Sequence, residues 1–498
     1  MAESFSPVSP TARGLAEAIA LQARVRPDAV ALRFEGEVLS YSALHTRVRQ
    51  AAAIAWHGWG VRPGDRVAWL GGNHPGQLVL LFALAEIGAM LLPLNFRLAP
   101  AEWDAMVADV GAAHVVHDAE WADAARALAV RNGMAAHAVR ELEQAAPVEQ
   151  DVPRHGDVTS PVLLVYTSGT TGGPKAAVHT QGNLLAGMRI AAQVQGMHPG
   201  DRILTVLPMF HVGGLCIQTL PALGAGAEVI LHPRFDAART LADIRALRPT
   251  LTLQVPPTMK ALAEHVDWAG TDLSCLRAVW AGSSLLPRAL VEAFHACGVP
   301  VCNVYGATET GPFSIALPPA RAFDHVDGCG WPAPEVEVML DGADASSGEV
   351  WVRAPNVVQR YWPDIPACDA QGWFRTGDLA RRHDDGSYAI VGRIKDLIIS
   401  GGENIHPAEI ENALAEHPAV AECAAFGLPD AQWGEVVAVA VVRNPGAQAD
   451  EAVLAAYLAQ RIARYKLPRR WVWMDALPKT ALGKVQRKLL HDTVPRSP

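Results

Sequence analysis

The chain has 498 residues, of which half are hydrophobic and 19% are charged, a composition typical of a globular protein with more than one domain. Its formal net charge of −9 argues against nucleic acid or an anionic membrane as partner, so an anionic substrate would need local cations. Its seven cysteines occur singly without a CxxC pair, which argues against a zinc knot or a disulfide framework and favours a reducing compartment.

The predicted elements begin with alternating strands and helices. The apolar strand pattern "DRVAWL" is followed by the helical pattern "GQLVLLFALAEIG". The most hydrophobic stretch, residues 78–96, is interrupted by Glu86, Gly88 and Pro93, which favours a buried helix and strand over a membrane span. The alternation recurs in "RILTVLPM" and in "TLTLQV" followed by "PTMKALAEH". It predicts layered α/β sheets that are largely parallel.

Residues 166–180 read "YTSGTTGGPKAAVHT", in which hydroxyl and glycine residues precede Lys175. Apolar residues 162–165 indicate a buried strand before this loop, and "NLLAGMRIAAQ" repeats apolar residues at helical spacing after it. We therefore predict a strand, a polar glycine loop and a helix, an arrangement that offers N–H groups, hydroxyls and a lysine charge to a phosphate. It is not the common nucleotide loop, because Pro174 precedes the lysine and Ala176 follows it.

The pattern changes towards the C-terminus. From about residue 328, short strands such as "EVEVML" and "GEVWVRA" predict a small β subdomain. Past Asp396, the helical patterns "HPAEIENALAEH" and "EAVLAAYLAQRIARY" flank the strand pattern "VVAVAVV". We predict an α/β fold with a large N-terminal domain of layered α/β sheets and the β subdomain, residues 1–395, and a small α+β C-terminal domain, residues 396–498.

Five motifs occur in an order that resembles a known family. They are the phosphate loop, "NVYGATETG" (303–311), "WFRTGDLA" (373–380), "GRIKDLIISGGENIHPAEIE" (392–411) and "PKTALGKVQRK" (478–488). Together they resemble the adenylate-forming, AMP-binding synthetases, which include acyl- and aryl-CoA ligases, adenylation domains of peptide synthetases and luciferases. The resemblance covers nearly the whole chain and implies that the small C-terminal domain is mobile.

The resemblance implies a set of nucleotide-binding residues. Glu309, whose carboxylate is a hard-oxygen ligand, is expected to hold Mg²⁺ together with Thr167. Tyr305 is expected to stack on adenine, and Thr308 to lie near the α-phosphate. The residues expected at the β- and γ-phosphates are Thr167, Ser168, Gly169, Thr170, Thr171, Gly172 and Lys175.

The ribose is expected to meet a carboxylate and a guanidinium. Asp378 in "RTGDLA" is expected to accept hydrogen bonds from both ribose hydroxyls, and Arg393 to add a second contact. By spacing alone, Asp378 could simply cap a turn after Gly377. The resemblance favours the ribose contact over the turn.

The resemblance also assigns residues to the chemical steps. Lys484 is expected to bridge the substrate carboxylate and the α-phosphate and to neutralise charge during adenylation. Asp396 is expected to be the hinge about which the small domain rotates. Gly401 and Gly402 are expected to let a pantetheine arm approach closely, although glycines there fit a hairpin turn equally well. The basic pair at residues 487–488 fits a solvated helix face.

The acyl pocket is expected near "LPMFHVGGL" and "AVWAGS". His211 would lie between the pocket and the thiol route, or be a plain packed ring. Trp280 would form a pocket wall that stacks on an aromatic acid, or would point into the core. The expected pocket residues are His211, Gly213, Trp280, Gly282, Gly306 and Gly311. This interpretation predicts a compact apolar acid, either aromatic or short-to-medium aliphatic.

The predicted function is an AMP-forming acid–CoA ligase that uses ATP and Mg²⁺. The enzyme would convert a carboxylic acid to acyl-AMP with release of pyrophosphate and then transfer the acyl group to CoA. Two alternatives stay open: a free-standing adenylation enzyme that loads a carrier protein, and a nucleotide-binding pseudoenzyme or luciferase-like protein. No secretory signal is read at the N-terminus, which predicts a cytoplasmic enzyme, and the oligomeric state is left open between monomer and homodimer.

Overall fold

The computed structural model describes residues 12–144, 152–167, 174–282, 286–344, 346–401, 403–430, 432–479, 485–491 and 493. The chain divides into two compact units. The first contains Met1–Ser283, Ala293–Val338 and Val352–Phe374, and the second contains Ser284–Glu292, Met339–Trp351 and Arg375–Pro498. Residues 375–395 thus group with the C-terminal segment. A domain boundary at residues 395/396 stays a prediction, because a hinge is defined by movement and not by compactness.

The strands, numbered in chain order, are β1 (Val30–Phe34), β2 (Glu37–Ser40), β3 (Arg66–Leu70), β4 (Met90–Pro93), β5 (His114–His117), β6 (Ala135–Ala138), β7 (Pro161–Thr167), β8 (Lys175–Thr180), β9 (Arg202–Thr205), β10 (Glu228–Leu231), β11 (Leu251–Gln254), β12 (Ala278–Gly282), β13 (Val301–Tyr305), β14 (Ile315–Ala316), β15 (Trp331–Pro332), β16 (Glu337–Asp344), β17 (Ser347–Arg353), β18 (Arg360–Tyr361), β19 (Ile365–Pro366), β20 (Phe374–Arg382), β21 (Tyr388–Arg393), β22 (Ile398–Ser400), β23 (Glu403–Ile405), β24 (Val420–Asp430), β25 (Gly434–Arg443) and β26 (Arg470–Trp473). The α-helices are α1 (Leu15–Val25), α2 (Tyr41–Ala53), α3 (Pro75–Ile87), α4 (Pro100–Val110), α5 (Ala122–Asn132), α6 (Arg140–Glu143), α7 (Gln181–Gln195), α8 (Val212–Gly214), α9 (Leu220–Ala225), α10 (Ala237–Leu247), α11 (Pro256–Ala263), α12 (Arg288–His295), α13 (Pro407–Ala415), α14 (Glu451–Ala459) and α15 (Arg487–His491).

Two sheets form the first unit. One has the strand order β15-β14-β13-β12-β11-β9-β10-β1-β2, and the other has the order β19-β18-β8-β7-β4-β3-β5-β6. The strands from β13 to β1 in the first order pair in parallel, as do β7, β4, β3, β5 and β6 in the second. Antiparallel pairs occur at the edges. The predicted layered, largely parallel arrangement is confirmed.

Helix α3 accounts for the most hydrophobic stretch of the sequence. Pro75 occupies its first turn, the side chain of His74 accepts the N–H of Gly76 at 3.0 Å, and Gly88 ends it in a left-handed conformation at φ 85°. The helix is buried along nearly its whole length and packs on α1, α2 and strands β4 and β7. The expected buried helix and strand are thus confirmed. No helix within the described residues has the length and apolar content to span a membrane.

The second unit contains most of a sheet of order β16-β17-β20-β21 and a sheet of order β23-β22-β25-β24, in which β26 also pairs with β25. Helices α13 and α14 bury Ile410 and Leu454 against the second of these sheets. Helix α14 ends at Ala459, before the end of the predicted pattern, and the carbonyl of Leu458 accepts the N–H groups of both Arg461 and Ile462 just beyond that end. The mixed α/β fold class is confirmed.

Candidate active site

The residues that follow the predicted polar loop form a strand, and the helix begins only after it. This strand, β8, pairs antiparallel with β7, with Thr167 opposite Lys175 and Tyr166 opposite Ala176. The prediction of a strand, a loop and then a helix was therefore wrong in one respect, because "KAAVHT" forms a buried strand before α7 begins. The side chain of Thr180 accepts the Asn183 N–H at 3.1 Å and starts that helix.

The pairing of β7 with β8 brings two of the predicted phosphate ligands to one end of the sheet. Thr167 is the last residue of β7 and Lys175 is the first of β8. The hydroxyl of Thr167 makes a long 3.4 Å bond to the Lys175 carbonyl. Lys175 makes no ion pair with any carboxylate in the described part of the chain. The other predicted phosphate ligands, Ser168, Gly169, Thr170, Thr171 and Gly172, lie outside the described residues.

The loop that follows β13 carries Glu309. A Cβ at Gly306 would lie 1.8 Å from the carbonyl oxygen of Pro312, so only glycine fits where the loop folds back on itself. Thr308 begins the 3₁₀ turn Thr308–Thr310, and Gly311 ends it in a left-handed conformation at φ 71°. The tight backbone is sufficient to explain both glycines, Gly306 and Gly311. Their role in the acyl pocket stays a prediction.

A later segment, residues 356–361, holds the Glu309 loop in place. The side chain of buried Asn356 donates to the carbonyls of Thr310 at 2.6 Å and Phe313 at 3.1 Å. The N–H of Val358 donates to the carbonyl of Glu309 at 2.8 Å. Hydrogen bonds from a part of the chain that is distant in sequence thus hold the backbone of the Glu309 loop in position.

The same segment also contacts the Glu309 carboxylate. The hydroxyl of Tyr361 donates to Oε1 of Glu309 at 2.8 Å, and the ammonium of Lys175 lies 5.5 Å from the centre of the Tyr361 ring. Burial, followed by the charge of Glu309, raises the pKa of Tyr361, so the phenol stays a hydrogen-bond donor. One tyrosine therefore touches both the predicted metal ligand and the predicted phosphate ligand.

The residues present fit a magnesium ion. Glu309 is half-buried, one of its oxygens accepts a phenol, and in the described residues it forms no ion pair with a cation. The described residues contain no cluster of three His, Cys, Asp or Glu side chains that could hold a metal alone. A single carboxylate completed by phosphate oxygens and water is how Mg²⁺ binds beside nucleotides.

Two further residues lie around this loop. Tyr305 is the last residue of β13 and is partly exposed, as a ring that stacks on a base must be. His179 in β8 is fully buried against the backbone of Thr308 without a well-formed hydrogen bond at either ring nitrogen within the described chain. Burial lowers the pKa of His179 to about 4, so the ring is neutral at pH 7.

His211 precedes the short helix α8. Its Nδ1 accepts the N–H of Gly213 at 3.0 Å, which places the ring proton on Nε2. Most of the ring is surrounded by protein although the residue keeps some exposure, and this burial lowers the pKa of His211 to about 4. A Cβ at Gly213 would lie 3.1 Å from Nδ1 of His211, so the two residues are in direct contact.

Trp280 is fully buried in β12 and packs against Phe313 with ring centres 5.9 Å apart. Its indole Nε1 has no hydrogen-bond partner in the described chain. Of the two alternatives left by the sequence, the core position is favoured, since the side chain is fully buried. Gly282, at the end of β12, is explained by the Val304 carbonyl, which would lie 2.7 Å from a Cβ there.

The two predicted ribose contacts are neighbours in the second unit. Asp378 in β20 lies opposite Arg393 in β21, and Nε of Arg393 is 2.6 Å from Oδ1 of Asp378. The N–H of Asp378 donates to the Thr376 hydroxyl at 3.0 Å within strand β20. The pair forms one charged unit, with Asp378 buried and Arg393 partly exposed.

The predicted hinge lies in a network of charges. Asp396 ends the 3₁₀ turn Ile394–Asp396, and its carboxylate is 3.3 Å from Arg487. Arg487 is also 2.6 Å from Glu411, so the expectation of a solvated face was wrong for this residue. Gly401 has φ 60°, and a Cβ there would lie 2.7 Å from the Trp433 ring. Gly402 and Lys484 lie outside the described residues.

Sequence reasoning missed Tyr361, Asn356 and His179. His179 lies within the quoted stretch 166–180, but nothing in the pattern gave it a role. Asn356 and Tyr361 lie outside the five motifs, and Tyr361 meets Glu309 only across 52 positions of chain.

Lys175, Glu309 and the tyrosine between them could serve a polyphosphate and a metal ion, and comparisons with known proteins identify the family. The sequence matches the AMP-binding enzyme family over residues 19–362 and the AMP-binding enzyme C-terminal domain over residues 409–484. It is 41% identical to indoleacetate–CoA ligase of Aromatoleum aromaticum, over 97% of this chain and 98% of the relative. It is 39% identical to a feruloyl-CoA synthase of Amycolatopsis, over 93% of this chain and 96% of the relative.

Solved structures of the same type are similar over the whole chain. The o-succinylbenzoate CoA synthetase of Bacillus subtilis, in complex with its acyl-adenylate intermediate, has a TM-score of 0.86 at 29% identity and covers 95% of this chain and 97% of its own. That enzyme has also been solved with ATP and a magnesium ion. The chain belongs to the AMP-binding enzymes, in the superfamily of adenylate-forming acyl- and aryl-CoA synthetases. The predicted class, an AMP-forming acid–CoA ligase that uses ATP, Mg²⁺ and CoA, is confirmed.

Proposed function

We propose that this enzyme joins an aromatic carboxylic acid to CoA by way of its acyl-adenylate. The observation that carries the proposal is the similarity along almost the whole chain to two relatives whose names specify aromatic acids, indoleacetate and ferulate. Trp280 no longer supports an aromatic substrate, since its side chain is buried. The aromatic preference therefore rests on the relatives.

In the first step the substrate carboxylate attacks the α-phosphorus of ATP, and pyrophosphate leaves. Lys175 pairs with the β- and γ-phosphates, and Thr308 lies by the α-phosphate. Glu309 and Thr167 would hold Mg²⁺, which when bound neutralises phosphate charge. Lys484 supplies positive charge where the new acyl–phosphate bond forms. In the second step the CoA sulfur attacks the acyl carbonyl, and AMP leaves.

Tyr305 would stack on adenine, and the charged pair of Asp378 and Arg393 would bind the ribose. Asp378 accepts the ribose hydroxyls, and Arg393, 2.6 Å from that carboxylate, orients it. His211 lines the route of the acyl group and the thiol as a neutral ring, since its pKa is about 4. The approach of the pantetheine arm is assigned to Gly401 and Gly402.

We also propose a cytoplasmic enzyme, supported by free thiols at Cys216, Cys275 and Cys302. We also propose a homodimer. Light scattering on the purified protein distinguishes it from a monomer.

A panel of acids tests the substrate. Indoleacetate, ferulate, benzoate, hexanoate and palmitate are each mixed with ATP, Mg²⁺ and either CoA or a phosphopantetheinylated carrier protein, and thioester is measured by mass spectrometry. We expect kcat/KM for the best aromatic acid to exceed that for either aliphatic acid by about 10-fold to 100-fold. A preference for hexanoate or palmitate would overturn the aromatic assignment. Thioester on the carrier protein and none on CoA would establish the carrier-loading alternative.

A further inference from the structure

Two opposite charges in the first unit face a shared aromatic ring without pairing to each other. Lys175 has no carboxylate partner and Glu309 has no cationic partner within the described residues. Each nevertheless contacts Tyr361, the first through the ring at 5.5 Å and the second through the hydroxyl at 2.8 Å. Charges kept apart in this way are available to a polyphosphate and its metal ion.

Tyr361 is itself held firmly by the sheet that carries Lys175. Strand β18 pairs with β8 through Tyr361 and Ala177, two residues after the lysine. The next N–H along, that of Trp362, donates to the carbonyl of Ala176 at 2.8 Å. On the other side, the N–H of Val358 donates to the carbonyl of Glu309. Neighbours of the tyrosine on both sides are thus bonded through the backbone, to Ala176 beside Lys175 and to Glu309.

We propose that Tyr361 is a positioning residue for the adenylation step, which sets the Glu309 carboxylate and the Lys175 ammonium at the spacing that metal-bound ATP requires. The hydroxyl occupies one carboxylate oxygen and orients the other towards the metal. The ring face holds the ammonium by a cation–π contact and keeps it in position for the phosphates. The inference rests on the proposed assignment of Glu309 as the metal ligand. Groups that orient a metal ligand in this way typically change metal affinity 10-fold to 100-fold when removed.

The competing explanation is that Tyr361 only fills space and happens to satisfy its hydroxyl on a nearby carboxylate. Tyr166 provides a matched control, because its hydroxyl donates to the Asp109 carboxylate and it lies on β7, the strand paired with β8. Tyr166→Phe removes a phenol-to-carboxylate bond of the same kind without touching Glu309. A space-filling role predicts similar behaviour for the two phenylalanine variants.

The test measures binding of Mn²⁺, as a paramagnetic substitute for Mg²⁺, by EPR in the presence of α,β-methylene-ATP. We expect Tyr361→Phe to weaken Mn²⁺ binding about 10-fold or more. Affinity for AMP without metal should stay within about twofold, since the fold and the nucleoside contacts are intact. Tyr361→Leu should also weaken α,β-methylene-ATP in EDTA about threefold, because Lys175 then loses the ring.

Several results would overturn the inference. Mn²⁺ affinity of Tyr361→Phe within twofold of the wild type, or an equal loss in Tyr166→Phe, would leave Tyr361 without a positioning role. Loss of AMP binding in Tyr361→Phe would show a structural role instead. Glu309→Gln tests the metal-ligand assignment separately from the role of Tyr361. If this variant binds Mn²⁺ normally, Glu309 is not the metal ligand, whatever the result for Tyr361→Phe.

Discussion

Arg487 forms an ion pair with Asp396, and this pair links the segment that follows Lys484 to the residue predicted as the hinge. The guanidinium lies 3.3 Å from Asp396 and 2.6 Å from Glu411, and its Nε donates to the Ala425 carbonyl at 3.0 Å. Both carboxylates are largely buried, with side-chain exposures of 20% and 13%. The charges of Glu411 and Asp396, together with the hydrogen bond to Glu411, raise the pKa of Arg487 against the opposing effect of its burial.

Arg487→Ala should destabilise the second unit by roughly 2 kcal/mol, because two shielded carboxylates lose their partner. Hydrogen exchange under increasing urea, read by mass spectrometry, reports the two units separately. Lys488→Ala removes the adjacent, exposed cation and should cost little. Equal losses in the two variants would mean that the network around Arg487 contributes nothing specific.

Asp396→Pro should keep acyl-AMP formation and slow the overall reaction about tenfold or more, since proline restricts the backbone torsion at the hinge. The half-reactions are measured separately, by pyrophosphate release and by thioester formation from supplied acyl-AMP. Asp396→Asn is the control, because it weakens the ion pair with Arg487 and leaves the torsion free. If both variants behave alike, the ion pair matters and the torsion does not.

Lys484→Ala should reduce adenylation by roughly 10²-fold or more, as expected when one preorganised charge is lost at a transition state. Thioester formation from supplied acyl-AMP and CoA should continue at close to the wild-type rate. A parallel fall in both half-reactions would contradict the assignment of Lys484 to adenylation alone.

Trp280→Ala should lower the free energy of unfolding by about 3–5 kcal/mol, the range for a large aromatic residue removed from a core. The ranking of acids by kcat/KM should not change. Trp280→Phe should cost less, because it keeps a ring against Phe313 and removes an indole N–H that has no partner in the described residues. A new ranking, with longer acids favoured, would restore Trp280 to the pocket wall.

Acid should destabilise the protein through His179, whose pKa is lowered by burial to about 4. Above the unfolded value of about 6.5 both states hold a neutral ring, and stability is at its full value. Between pH 6.5 and 4 the ring becomes protonated in the unfolded chain but stays neutral in the folded chain. The free energy of unfolding therefore falls by about 3 kcal/mol through this group. His179→Leu should flatten that part of the curve, measured by urea denaturation at pH 7 and pH 4.5. An unchanged slope would exclude His179 as a source of the acid sensitivity.

Local sequence patterns were enough to predict the helices and strands whose burial is periodic or continuous, such as α3 and β25. The order of the motifs was enough to predict the class of enzyme. The hairpin of β7 and β8 was missed because "KAAVHT" is short and rich in small residues, so it differs little from the start of a helix. Tyr361 was missed for another reason. Its contacts with Lys175 and Glu309 exist only after β18 has joined the sheet, and no local pattern encodes a pairing of strands so distant in sequence.

Gly306 and Gly213 differ in how well they would tolerate substitution. At Gly306 any side chain meets the Pro312 carbonyl at 1.8 Å, so a mutant library at this position would yield misfolded variants and no new substrate range. At Gly213 the nearest obstacle is the His211 ring at 3.1 Å, a side chain that can turn aside. If Gly213 lines the acyl pocket as its sequence predicts, directed evolution towards smaller acids would start there, since the backbone at Gly306 admits only glycine.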